Sequence, residues 1–330
     1  MRMMVLDAPG RPLVLRERPV PEPAGGEVLL KVSACGVCRT DLHLVDGELP
    51  DPTLPVVPGH EVVGRILAMG AGVTGLRIGD RVGVPWLAST CGRCRYCRES
   101  QENLCESARY TGYTRDGGFA THAVADARYV FRLPDRYDDV HAAPLLCAGL
   151  IGYRAWSMAG QAQAVGLYGF GAAAHLIAQI AVAEGRAIYA FTRPGDTAAR
   201  ALARGLGAVW AGGSDEPAPV TLDAAILFAP AGALVPVALA ATRPGGTVVC
   251  AGIHMSDIPS FPYRLLWQER TLRSVANLTR ADGERFMAAA ARVPLDVRAT
   301  AYAFERANEA LDDLRAGRVS GAAVLTMPAD

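Results

Sequence analysis

The chain has 330 residues, of which 51% are hydrophobic, enough for two cores on the rough rule of about 150 residues per domain. Lys plus Arg and Asp plus Glu are equal at 33 each, which excludes a strong overall field toward nucleic acid or an anionic membrane. No apolar stretch approaches the roughly 18 residues of a membrane span, and the opening MRMMVLDAPG lacks the apolar core and cleavage site of a leader. A cytoplasmic location is therefore expected, where the eight cysteines stay reduced and close spacings point to metal or catalysis.

Up to about residue 135 the runs GEVLLKVSACGV, VVGRILAMG, GDRVGVPWL and FATHAVADARYVFRLP alternate or are β-branched, punctuated by Gly, Pro and Asp, and predict a compact all-β region. Within it lies CGRCRYCRESQENLC. Cys91, Cys94, Cys97 and Cys105, spaced C-x2-C-x2-C-x7-C, can converge on one ion, and four thiolates complete the tetrahedron of a structural zinc site. Such a knot fixes a loop and leaves no position open for a substrate. A nucleic-acid-binding zinc ribbon is the alternative; Arg93, Arg95 and Arg98 favour it, but stacking aromatics and a wider basic patch are missing. Cys38, His60 and Cys147 form a Cys2His set of the kind a catalytic zinc takes, three ligands with one position open. Their spacing alone does not group them. Cys35, three residues before Cys38, reads as a small packed residue.

From about 140 to 275, AVGLY, AIYAF, DAAILF, GTVVCAG and TLRSVA alternate with Ala-rich helical stretches and predict a doubly wound α/β region with a buried parallel sheet. After the first of these strands, Gly169, Gly171 and Ala174 form G-x-G-x-x-A. The first Gly turns the chain tightly, the second lets backbone approach a pyrophosphate, and the small third residue lets helix and strand pack closely. The second strand ends in Thr192 and Arg193, where an NAD site usually carries an acid for the ribose 2′-hydroxyl; a hydroxyl followed by a guanidinium favours NADP(H) over NAD(H). The tail predicts a helix with Ala307, Ala310, Leu311 and Leu314 on one face, closed by Gly317, then a strand that returns to the first region.

Five motifs in order, GVCRTDLH, GHEVVG, the four-cysteine run, LLCAGL and the glycine-rich turn, resemble the zinc-dependent alcohol dehydrogenases of the medium-chain dehydrogenase/reductase superfamily over essentially the whole chain. The resemblance implies a fold that is α/β plus all-β. A GroES-like catalytic domain would cover 1–147 and 277–330, and a Rossmann dinucleotide-binding domain 148–276. It implies two zinc ions per chain, a catalytic one on Cys38, His60 and Cys147 and a structural one on the four-cysteine run. Asp41 would orient the ligand histidine, and Glu61 would lie near the metal. Thr40 would contact the alcohol, His43 would pass the proton to solvent, Arg39 would meet the cofactor pyrophosphate, and Trp86 would wall the pocket. Leu49 stands where close relatives often carry Trp, so the pocket is expected to admit alcohols bulkier than ethanol.

The implied reaction is reversible hydride transfer between an alcohol and NAD(P)+, with an alcohol or aldehyde as the small-molecule partner, no nucleic-acid or membrane partner, and a homodimer or homotetramer as the assembly. The alternative within enzymes is a polyol-type dehydrogenase of the same superfamily, against which Cys147 tells, since those members usually have Glu there. A non-catalytic dinucleotide sensor is the alternative outside enzymes; it has no need of an open zinc position.

Overall fold

A computed structural model describes residues 1–328 and divides the chain into two compact units. The first comprises Met1–Cys147, Asn277–Ala291 and Asp296 onward, the second Ala148–Ala276 with Arg292–Leu295. Among the described residues, no helix is long and apolar enough to cross a membrane.

The first unit is built on a seven-stranded sheet. Its order is Ala299–Ala303, Ala322–Thr326, Glu27–Val37, Glu61–Met69, Arg81–Val84 and Phe131–Arg132, with His122–Asp126 also paired to Glu27–Val37. All these pairings are antiparallel except that of Ala299–Ala303 with Ala322–Thr326, so the C-terminal strand does return to the β region and lies against the long central strand. Val28, Leu30, Val32, Cys35 and Val37 of that central strand enter the main core with Val62, Ile66, Phe119 and Leu325. The all-β expectation for this region is corrected at two short helices, Arg95–Arg98 within the cysteine loop and one that bears on the site. Arg39–Val45 is a helix, starting as the central strand ends. The Asp41 carboxylate accepts the N–H of Cys38 at 2.8 Å, ahead of the first turn, and Leu42, Leu44 and Val45 bury the inner face. A helix this short carries too little periodicity to stand out in sequence.

The second unit is a six-stranded, all-parallel sheet in the order Trp210–Gly213, Ala187–Thr192, Ala164–Tyr168, Leu222–Leu227, Thr242–Cys250, Thr271–Ser274. In chain order this is 3-2-1-4-5-6, the dinucleotide-fold arrangement, whose direction of winding reverses beside the first strand. Five of the strands are the apolar runs seen in the sequence. Trp210–Gly213, WAGG, is an additional strand; two glycines and no β-branched residue leave it without a sequence signal.

Candidate active site and metal centres

The end of the central strand and its neighbour bring the first ligand group together. Cys38 caps the helix Arg39–Val45, His60 and Glu61 open the strand Glu61–Met69, and Cys147 follows the turn Ala143–Leu146. One ligand atom from each of Cys38, His60, Glu61 and Cys147 lies within 4.8 Å of the others. Residues far apart in sequence thus meet because the register pairs Gly36 with Glu61. Gly59, just before His60, has φ +96°, and an added Cβ would run into Phe119 and lie 2.8 Å from the Cys35 sulfur. Cys35 is the packed small residue expected from sequence, and it helps shape the turn that aims His60.

The group fits a zinc ion. Two sulfurs bound tetrahedrally at about 2.3 Å would stand about 3.8 Å apart, and Cys38 Sγ and Cys147 Sγ are 3.8 Å apart. The Nε2 atom of His60 is buried with no hydrogen-bond partner among the described residues, while Nδ1 faces Asp41 Oδ1 at 3.3 Å. Asp41, 1% exposed, also accepts the N–H of Gly59 at 3.1 Å, so one carboxylate ties both ligand segments together. The Cys38 thiol is held well below its ordinary value, chiefly by the hydrogen bond from Cys147, and Cys147 is pushed well above its own by the same bond. Burial works against a charged His60, but the Asp41 carboxylate and the Cys38 sulfur together outweigh it and raise the imidazole pKa. Burial and then the Cys38 sulfur raise Glu61. Acidic groups are crowded here so closely that Cys147 and Glu61 are driven to keep their protons, which a divalent ion would displace on binding.

The second group holds Cys91, Cys94, Cys97 and Cys105, again with ligand atoms within 4.8 Å of one another. The N–H groups of Arg93 and Cys94 lower the Cys91 thiol to about 6, whereas burial pushes Cys105 up to about 11. Buried Glu102 accepts the N–H of Arg280 at 2.9 Å and joins this loop to the helix Arg280–Arg292. Cys97 also reaches Thr90 Oγ1 at 3.5 Å, and Thr90 meets the hydroxyl of buried Tyr129 at 2.6 Å, so the loop is tied into the unit.

Trp86 meets the His60 ring edge-on at 5.0 Å, and its own face stacks on Tyr110 and Tyr113 at 5.2 and 5.6 Å. The two tyrosines are absent from the sequence reading. They belong to a turn whose contact with Trp86 depends on tertiary pairing of Leu87–Ser89 with Arg109–Tyr110. Tyr113 donates its hydroxyl to the carbonyl of Pro50, and Leu49 beside it is partly buried against the main core. Thr40 is buried with Oγ1 3.8 Å from Cys38 Sγ, His43 pairs with Glu48, and Arg39 is exposed.

In the second unit Gly169 has φ +88° and no room for a Cβ beside Ala229, Gly171 caps the helix Ala172–Ala183 with open space at its Cβ position, and Ala174 is fully buried. These are the three features the pyrophosphate turn requires. Arg193 is exposed, but Thr192 is buried and donates to the carbonyl of Gly212 at 3.1 Å. Arg200, which sequence reasoning passed over, brings Nε to 3.4 Å from the Thr192 hydroxyl and pairs with Glu216 at 2.9 Å. Its place, eight residues on and one helical turn into Thr197–Gly205, gives no local signal.

The family of the Alcohol dehydrogenase GroES-like domain matches residues 24–135. Over 314 residues, 93% of this chain and 90% of the relative, the sequence is 48% identical to the "Probable alcohol dehydrogenase AdhA" of Mycobacterium tuberculosis (strain CDC 1551 / Oshkosh). A cobalt- and zinc-bound thermostable alcohol dehydrogenase from Pyrobaculum aerophilum has a similar structure, with TM-score 0.87 and 25% identity over 99% of both chains. Acetophenone reductase from Geotrichum candidum in complex with NAD gives TM-score 0.87 and 27% identity over 98% of this chain and 96% of that one. The fold, the two ligand groups and the full-length likeness agree: this chain belongs to the zinc-dependent alcohol dehydrogenases of the medium-chain dehydrogenase/reductase superfamily.

Proposed function

We propose that the protein oxidises an alcohol, and reduces the matching carbonyl compound, by hydride exchange with a nicotinamide dinucleotide, NADP(H) in preference to NAD(H). The observation that carries this reading is the meeting of Cys38, His60 and Cys147 about a buried imidazole nitrogen that has no hydrogen-bond partner among the described residues. A bound zinc ion supplies Lewis acidity that lowers the pKa of an alcohol hydroxyl, and the nicotinamide supplies the hydride acceptor. Cys38, His60 and Cys147 would hold the metal, with Asp41 fixing the histidine tautomer and the Glu61 carboxylate beside them. The Thr40 hydroxyl receives the alcohol proton, and His43 passes it toward water. Gly169, Gly171 and Ala174 shape the pyrophosphate seat at a helix N-terminus, and Arg39 adds a guanidinium for the same group. Cys91, Cys94, Cys97 and Cys105 hold a second zinc that stabilises the fold.

The reading of the substrate follows from the wall. Trp86 stands edge-on to His60 with Tyr110 and Tyr113 stacked on its face, which fixes an aromatic wall beside the ligand histidine, and Leu49 leaves more room than a Trp. A rigid aromatic wall and a smaller residue at Leu49 favour an alcohol bulkier than ethanol. For the cofactor, the strand Ala187–Thr192 ends without a carboxylate and with exposed Arg193. Arg193→Ala should raise KM for NADP+ about tenfold while leaving KM for NAD+ near its starting value. A cytoplasmic homodimer or homotetramer completes the reading.

The decisive experiment follows nicotinamide absorbance with a panel of alcohols and aldehydes, both cofactors, and protein that is zinc-loaded, chelator-stripped or reloaded. Activity should vanish on stripping and return with zinc. Turnover that survives complete metal removal overturns the proposal, and fastest turnover with ethanol overturns the reading of the wall.

A further inference from the structure

The helix Arg39–Val45 ends in a turn that folds the chain back on His43. Asp46 is its C-cap, Gly47 has φ +79°, and the N–H of Glu48 donates to the carbonyl of His43 at 2.8 Å. This is the six-to-one closure that left-handed glycine makes at a helix end, and it places Glu48 over the last turn rather than beyond it. The Glu48 carboxylate consequently reaches Nδ1 of His43. The other carboxylate at this helix end, Asp46, is engaged by Arg315 at 2.8 Å, which also holds Asp312. The Glu48 side chain remains 56% exposed and that of His43 20% exposed, so the pair lies at the boundary between the unit and solvent.

We propose that Glu48 is a positioning residue for His43. Its carboxylate accepts the Nδ1–H, selects the tautomer in which Nε2 is the basic nitrogen, and supplies the counter-charge when that nitrogen takes up a proton. The inference rests on the reading of His43 as the group that carries the alcohol proton to solvent. The step balances: the proton arriving at Nε2 converts the neutral ring to a cation beside a carboxylate, and loss of a proton from Nε2 to water restores the Nδ1–H tautomer. A carboxylate behind a histidine does the same for imidazoles that bind metals or act as bases, holding the ring's orientation and tautomer.

The test uses the zinc-loaded full chain with nitrogen-15-labelled histidine and compares Glu48→Ala, Glu48→Gln and His43→Ala. The His43→Ala spectrum identifies the His43 signals. In Glu48→Ala the Nδ1–H tautomer should lose its dominance, and the single-turnover rate of alcohol oxidation should fall about tenfold with KM changed by less than about twofold. Glu48→Gln still offers an acceptor oxygen but no charge, so it should keep the tautomer and lose about threefold in rate. A merely structural Glu48 would leave the tautomer unmoved. The proposal is overturned if Glu48→Ala retains tautomer and rate while His43→Ala is slow, which leaves the relay reading standing. It is overturned together with that reading if His43→Ala itself turns over at the original rate.

Discussion

Replacing Asp41 with Asn removes one charge and no volume from the carboxylate that ties the two ligand segments together. Its two oxygens serve three donors: the N–H of Cys38 at 2.8 Å, the N–H of Gly59 at 3.1 Å and Nδ1 of His60 at 3.3 Å. Asn keeps one acceptor oxygen. Whichever way its amide is turned, the –NH2 faces a backbone N–H, and the site, 1% exposed, admits no water to separate them. The lost charge-assisted hydrogen bond and the unsatisfied donor together cost about 2–4 kcal/mol of stability. Looser aim of His60 should weaken zinc binding at the Cys38–His60–Cys147 group about 10- to 100-fold. Competition with a chromophoric chelator reads this directly, because the four-cysteine group serves as an internal control: one zinc should leave early, and the other should leave as in the parent protein. Urea unfolding of the stripped protein gives the stability term separately. If Asp41→Asn yields both zinc ions at parental rates and unfolds within about 0.5 kcal/mol of the parent, the role of this carboxylate is wrong.

Three further outcomes follow from the same geometry. Metal analysis should find two zinc ions per chain, and Cys97→Ser should lower that to one and reduce thermal stability more than the turnover of the surviving folded enzyme; a stable but inactive variant would reverse the roles given to the two cysteine sets. Gly59→Ala should destabilise by about 2–4 kcal/mol, against about 1 kcal/mol for Gly72→Ala, because both have positive φ but only Gly59 is walled in; equal losses in a denaturation series would remove the packing argument. Asp223 accepts the N–H groups of Gln163 and Ala164 at 2.8 and 2.9 Å and pairs with Arg243 at 2.7 Å. The Ala164 N–H, and after it the Arg243 guanidinium, hold its carboxyl below the usual range. A depressed carboxyl stabilises the fold above the unfolded value of about 4 and loses that contribution as pH falls through the folded value. Asp223→Asn should therefore cost about 1–3 kcal/mol at neutral pH, with the gap narrowing in acid; a gap that does not change with pH refutes the linkage.

Much of the architecture was legible in local pattern. Buried parallel strands read as apolar runs because both faces are covered, which made five of the six strands of the second unit visible, while WAGG, small and unbranched, was not. The four-cysteine group was legible because its members lie within fifteen residues, close enough that spacing alone limits where the sulfurs can go. The glycine-rich turn from Gly169 to Ala174 was legible for the same reason. By contrast, the helix Arg39–Val45 owes its start to a carboxylate cap inside a β-rich run, and only likeness to a family, not periodicity, singled out its residues.

What the chain by itself determined is therefore whatever depends on neighbours along the backbone: strand and helix periods, the glycine turn, and the short cysteine spacing. Tertiary structure decided the rest. Register between Glu27–Val37 and Glu61–Met69 carries His60 to Cys38, and the Ala143–Leu146 turn delivers Cys147 from more than a hundred positions away. Pairing of Leu87–Ser89 with Arg109–Tyr110 lays Tyr110 and Tyr113 on Trp86, and the fold turns the Thr192 hydroxyl inward toward Gly212 while bringing Arg200 beside it. The physical reason is that one residue of slip in a strand reverses the face of every side chain, so which groups meet is set by a pairing that no single segment encodes.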